Sequence, residues 1–212
     1  MLNFQTYYHI YNHANGTDNL FRSDENYRYF LQQWSRYIKP VAFTYAYCLM
    51  PNHFHFLIRT KSEAEIRDNL NFKEKDLPGL ILLFLFSKAK LRASPFENLA
   101  GLISKQFGNL FNSYAKAYNK QYNRKGSLFM KPFKSKQIPT EIDLITIVNY
   151  IHRNPIHHGF CENHEDWLHS SYHTYLSERP TKTRKDDVLD WFNGKDEFIN
   201  FHKENMMLID KS

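Results

Sequence analysis

The stretch from Val41 to Thr60 constrains this chain most. Two runs rich in β-formers, VAFTYAYCL (41–49) and HFHFLIRT (53–60), are separated only by Met50-Pro51-Asn52. Strand-length runs on either side of a tight turn read as a β-hairpin. Side chains alternate across a strand, so His53, His55 and Leu57 share one face and Phe54, Phe56 and Ile58 the other. The aromatic face can pack on helices. The histidine face is left for chemistry.

The flanking sequence supplies the rest of a sheet. QTYYHIYNH (5–13) reads as a first strand and ANGTDN (14–19) as a loop. Ser23, Asp24 and Glu25 open a helix over Asn26–Ile38, which Pro40 ends. Residues 61–78 are charged and read as a loop, and Leu80–Arg92 and Leu99–Gln121 as helices. Ser127–Ile138 reads as a fourth strand, and Pro132 within it assigns that strand to an edge. Thr140 with Asp143 caps a helix running to about Asn154, and Pro155 should end it. Beyond residue 160 the chain mixes short helices and loops. This order predicts an α+β fold: a ferredoxin-like βαββαβ core with an antiparallel sheet, a helical insertion and an additional helix. The expected organisation is one domain over 1–178, with its insertion at about 61–123, and a carboxy-terminal extension over 179–212.

Composition narrows the function classes. The 212 residues suit one domain of roughly 150 residues plus an extension. Aromatic residues make up 17% of the chain, which excludes disorder over most of it. Lys and Arg number 28 and Asp and Glu 22, a net charge of +6 with histidine neutral. A basic soluble protein suits a polyanionic partner. The two cysteines, Cys48 and Cys161, exclude a disulfide framework and a four-cysteine zinc site, and they fit a reducing compartment. The longest apolar run, Leu80–Phe86, falls short of the ~20 residues of a membrane span and reads as a core helix. MLNFQTYYHIYNHANG shows no basic region ahead of an apolar run, so no secretory signal and no membrane association are expected. The expected location is cytoplasmic.

Two imidazoles side by side on an open sheet face can grip a metal ion at two points. The plain alternative is a pair of exposed histidines. Tyr150 and Asn154, four apart, share one face of the helix after the fourth strand. A tyrosine hydroxyl can attack phosphorus and hold a covalent phosphotyrosine. An amide oxygen is a hard ligand suited to Mg²⁺ or Mn²⁺. Their structural alternatives are a core aromatic and a helix cap. Tyr114 and Tyr118, and Tyr118 and Tyr122, also stand at helical spacing, but neither pair brings a ligand for a hard cation. Tyr150 has Asn154 one turn on and Arg153 beside it to meet a phosphate.

These residues resemble a known family. MPNHFHFLI is similar to the histidine–hydrophobe–histidine motif of IS200/IS605-like single-tyrosine transposases, and most of all to that of REP-associated tyrosine transposases. YYHIYNHANGTDNLF resembles their first strand and loop, although an arginine is more usual where His13 stands. NRKGSLFMKPFKSK resembles their fourth-strand segment, where Trp often replaces Phe129 and Arg replaces Pro132. VNYIHRNPIHHGF is similar to the helix that carries the nucleophile, and DWLHSSYHTYL to a carboxy-terminal signature. The resemblance covers roughly 5–60 and 104–177; residues 61–100 and 179–212 match nothing in it.

The resemblance implies a transposase that cleaves single-stranded DNA near a hairpin through a 5′-phosphotyrosine and rejoins strands by the reverse reaction. It places the nucleophile on Tyr150 and the ligands of Mg²⁺ or Mn²⁺ on His53, His55 and Asn154. Single-stranded or hairpin DNA is the expected partner. Arg124, Lys125, Lys131, Lys134, Lys136 and Arg153 are the expected phosphate contacts, with Tyr118, Tyr122 and Phe129 near enough in sequence to stack bases. Lys182, Arg184 and Lys185 are offset by Asp186 and Asp187 and read as a solvated loop. His157 and His158 read as a helix end, and Trp167 and Trp191 as core. The insertion is long enough to serve as a homodimer interface or a DNA clamp. Two alternatives stay open: a hairpin-binding protein of the same fold that does not cut, and a metal-dependent phosphodiester hydrolase.

Overall fold

The computed structural model describes residues 2–71 and 99–206. The helix expected over Leu80–Arg92 lies outside them. The chain forms two compact units that interleave in sequence. One comprises Met1–Thr6, Arg28–Phe43 and Thr60–Gly126, and the other Tyr7–Tyr27, Thr44–Arg59 and Ser127–Ser212.

Four strands, β1 (Tyr7–His13), β2 (Ala42–Met50), β3 (His53–Thr60) and β4 (Lys134–Gln137), form one sheet in the order β2-β3-β1-β4. β1 runs antiparallel to both neighbours, and the two-residue turn between β2 and β3 makes that pair antiparallel too. The expected βαββαβ order is therefore present. β3 spans the expected residues. β4 lies at the edge, as expected, but it is only four residues long and starts after Pro132. That proline has no N–H to give a ladder, and the segment before it meets the end of β1 irregularly, through Met130 N–H to the His13 carbonyl at 2.9 Å and a bridge from Phe129 to Ala14.

The turn ahead of His53 is clamped by the loop after β1. Ala14 N–H donates to the Asn52 carbonyl at 2.8 Å, and Leu20 and Phe21 N–H donate to the Pro51 carbonyl at 2.6 and 3.0 Å. Below the sheet face opposite the histidines, Ile10, Phe54, Phe56 and Ile58 are fully buried. Burying such side chains contributes about 1.5–3 kcal/mol each.

Helix α1 (Asp24–Tyr37) opens on an acidic first turn, where negative charge meets the positive end of the helix dipole. Helix α2 (Glu63–Asn71) corrects the loop expected over 61–78. Its start is a capping box: Glu65 N–H donates to Ser62 Oγ, and Ser62 N–H donates to the Glu65 carboxylate. Helix α3 (Leu99–Gln121) has the expected bounds. In this unit Phe30 and Trp34 pack edge-on against Tyr114 and Phe107.

Helix α4 (Glu141–His157) starts at the expected cap, with Asp143 N–H donating to Thr140 Oγ1. It does not stop at Pro155, which lies inside its last turn. A proline there forfeits only the bond to the carbonyl four residues back. The helix then closes on His158 N–H to Asn154 O and Phe160 N–H to Pro155 O, around Gly159 at φ +70°. Helices α5 (Tyr172–Leu176), α6 (Lys185–Trp191) and α7 (Lys195–Glu204) complete this unit. Trp191 stacks on Tyr45 at 5.1 Å, and Trp167 Nε1–H donates to the Leu49 carbonyl. Both tryptophans are packed rather than free to stack on a ligand.

Candidate active site

The sheet register builds the site. On β1, Tyr7, His9, Tyr11 and His13 share one face. His13 stands opposite His53, and Tyr11 opposite His55. Across the other edge of β1, Lys136 stands opposite His9 and Lys134 opposite Tyr11. Residues directly opposite share a face, so both lysines project on the side of the histidines.

The imidazoles are closely packed. The His13 and His53 rings stack at 4.6 Å and 9°, and the His9 and His55 rings at 5.0 Å and 17°. His53 and His55 are each only 3% exposed. The open face expected for them is covered, because α4 lies over it. Tyr150 meets His55 edge-on at 5.6 Å and His9 at 5.8 Å. Eight residues on, His158 meets His53 edge-on at 4.8 Å. Asn154 is midway between these two contacts, one helical turn from each. It is buried, and its Nδ2 donates to the Tyr150 carbonyl at 2.7 Å, which leaves the amide oxygen outside that bond.

Burial holds the histidines neutral. It pushes His53 down to about 3, with His13 and His158 adding to the effect. His55 lies well below the usual histidine range, first from burial and then from His9. Burial, followed by the Lys136 ammonium, brings His9 down to about 4. Neutral imidazole is the form that ligates a metal. His53 Nδ1 lies 2.7 Å from Asn52 Oδ1, an acceptor, so Nε2 carries the free lone pair. His55 Nδ1 lies 2.8 Å from His9 Nε2, and His55 Nε2 is buried with no partner. Two neutral imidazoles with spare nitrogens, and an amide oxygen nearby on the helix, suit a divalent cation. Among the described residues there is no group of three or more His, Cys, Asp or Glu suited to a metal.

Tyr150 differs from the other tyrosines at helical spacing. It is 36% exposed, whereas Tyr114 and Tyr118 are each 1% exposed. It lines an open cleft of about 1000 Å³ with His9, Tyr11, His55 and Lys136.

The basic residues divide. Lys134 and Lys136 are exposed on the site face, and Lys131 is exposed just before β4. Arg153 is buried, and its charge acts on His164. Arg124 and Lys125 belong to the other unit, where Arg124 donates to Asn119 Oδ1 and the Gly126 carbonyl. Tyr118 and Phe129 are buried, so neither is available to stack a base, contrary to expectation. Arg184 is paired with Asp187. The contributions of His9 and Tyr11 to the face were missed; their period-two alternation on the first strand was the available signal.

No family model matches the chain. A protein of Haemophilus influenzae described as a REP-associated tyrosine transposase is 26% identical over 130 residues. The chain is similar to REP-associated tyrosine transposases. The match takes in 61% of this chain and 58% of that relative's length. A solved structure of a REP-associated tyrosine transposase bound to a REP hairpin shares the fold, with a TM-score of 0.52 at 16% identity over 86% of this chain and 87% of the other. Among the described residues no helix is long and apolar enough to cross a membrane.

Proposed function

We propose that this chain is a metal-assisted tyrosine transposase that cleaves and rejoins single-stranded DNA beside a hairpin, in the cytoplasm. The observation that carries the reading is the exposed Tyr150 ring set edge-on against His55 at the cleft. Tyr150 Oη attacks the scissile phosphorus and forms a P–O bond, and the bond to the 3′-oxygen breaks. The products are a 5′-phosphotyrosine and a free 3′-hydroxyl. The phenol proton leaves to a base or bound water, since a free tyrosine has a pKa near ~10, and the departing 3′-oxygen takes up a proton from water. Attack of a 3′-hydroxyl on the phosphotyrosine reverses the step, and the phosphodiester energy is kept throughout.

His53, His55 and Asn154 would hold Mg²⁺ or Mn²⁺. When bound, the ion polarises the phosphate and neutralises charge developing on it. None of these three residues brings a negative charge, so the phosphate itself supplies the anionic ligand and metal binding to the free protein is weak. Lys134 and Lys136 hold the DNA backbone along the site face, and Lys131 extends that path. The hydrolase alternative is disfavoured, because that class adds carboxylates or further histidines to the ion.

Changing His53 and His55 together to Ala should abolish cleavage of a single-stranded hairpin oligonucleotide. Binding should survive, because phosphate contacts carry most of the affinity. Undiminished cleavage by the double variant would remove the metal from the mechanism.

A further inference from the structure

Each ligand imidazole has one ring nitrogen tied to a neighbour. For His53 the neighbour is Asn52 Oδ1, which can only accept, so the proton sits on Nδ1. For His55 the neighbour is His9 Nε2 at 2.8 Å, and either ring could donate. If His9 donated, His55 would carry its proton on Nε2. That nitrogen is buried with no partner, and the result would be a desolvated N–H with no acceptor. If His55 donates, Nε2 bears a bare lone pair instead. A lone pair is what a cation takes, and a hydrogen bond from the other ring nitrogen is how ligating histidines are oriented. His9 Nδ1 is not among the buried nitrogens left without a partner, so His9 can hold its own proton there.

We propose that His9 is a positioning residue that accepts the Nδ1–H of His55 and thereby aims the His55 Nε2 lone pair at the metal position beside Tyr150. The proposal rests on the metal-assisted reading above. The sheet explains why His9 can serve. It stands diagonally across from His55 in the β1–β3 register, in a mutually contacting group of near-parallel rings with Tyr11 and His55. Its bond to His55 is therefore built into the strand pairing and is independent of the cleft's contents. Asn52 serves His53 from the clamped hairpin turn, so the two ligands are oriented from two different elements.

The test uses the whole chain, ¹⁵N-labelled and free of metal. Long-range ¹H–¹⁵N correlation reports which ring nitrogen of His55 carries the proton. Nδ1 is expected in the wild type. His9→Phe keeps a ring but offers no acceptor, and should shift the proton toward Nε2. His9→Gln, whose Oε1 can accept, should restore Nδ1. Titration with Mn²⁺ alone, followed by electron paramagnetic resonance, should show about 10–100-fold weaker binding in His9→Phe, recovered in part by His9→Gln. A wild-type His55 protonated on Nε2 overturns the proposal whatever the variants do. So does an unchanged His55 proton position in folded His9→Phe. A wild-type His55 protonated on Nδ1 with no Mn²⁺ bound, even with hairpin oligonucleotide present, would leave the role of His9 standing and sink the metal-assisted reading instead.

Discussion

Two groups of histidines in the same unit use the same chemistry to opposite ends. Around α4 and α7, His152, His202 and Ser171 form a closed chain. His202 Nδ1 donates to the Phe198 carbonyl at 2.7 Å, which leaves its Nε2 to accept from His152 Nδ1 at 3.0 Å. His152 Nε2 then accepts from Ser171 Oγ at 2.8 Å. Both nitrogens of each ring are spent inside the protein. On the sheet face under α4, His53 and His55 each spend only one nitrogen. All four rings are neutral for the same reason, burial. Burial and neutrality therefore do not tell the two groups apart; the nitrogen left without a bond on His53 and His55 does. A spare nitrogen alone is insufficient, because His164 Nε2 is also buried without a partner, yet His164 stacks on Tyr172 and stands outside the strands that carry His53 and His55.

The contrast breaks most visibly under mutation. His202→Ala should destabilise the fold by about 3 kcal/mol, through a cavity and an orphaned His152 nitrogen. In thermal denaturation that is a fall in Tm of roughly 6–12 °C. His55→Ala also takes the partner of His9 Nε2, but both rings line the open cleft, where water can enter and replace the lost bond, so its effect should be roughly half as large or less. Equal losses would mean that the two groups are built alike.

Acid should weaken both groups. Histidines in the unfolded chain take up protons below about pH 6.5. His9 and His164 stay neutral in the fold down to about 4, and His53 and His202 down to about 3. The unfolded state therefore binds more protons across this window, and stability falls as pH falls from 6.5 toward 4. Above 6.5 these groups contribute no pH dependence. Each contributes a slope of at most about 1.4 kcal/mol per pH unit. Denaturant unfolding of His53→Gln at several pH values should show a shallower slope than the wild type. A flat wild-type profile over pH 4–6.5 would mean that the buried histidines are charged in the fold.

The smallest effect separates lysines on the cleft face from charges already paired. Lys134→Ala with Lys136→Ala should reduce the salt dependence of single-strand binding, by about 0.7 in log–log slope for each phosphate no longer neutralised. Arg184→Ala should leave the slope unchanged, because Arg184 is spent on Asp187. An unchanged slope in the lysine variant would make β4 a merely solvated edge.

Local signals carried much of the fold. Period-two alternation and the Pro51-Asn52 turn bound β3, and Thr140 with Asp143 started α4. These features act within a few residues. The Ser62/Glu65 capping box was equally local, but it was hidden in a charged stretch without apolar periodicity. Pro155 misled because its penalty depends on how many helical bonds remain beyond it. The site was legible only where one element carries both partners: His53 with His55, and Tyr150 with Asn154. The face of His9 was legible from its alternation on β1, but its bond to His55 was not, because that depends on a strand register joining residues 46 positions apart. The burial of Arg153 and Phe129 likewise depends on neighbours distant in sequence.

The central claim is that Tyr150 is the nucleophile. Incubate the protein with Mn²⁺ and a panel of single-stranded hairpin oligonucleotides, then digest it and map the peptide that carries nucleotide. The account predicts attachment at Tyr150 and complete loss of the adduct in Tyr150→Phe, which deletes one oxygen and keeps the ring against His55. An adduct on Tyr114 or Tyr118, or one that persists in Tyr150→Phe, would contradict it.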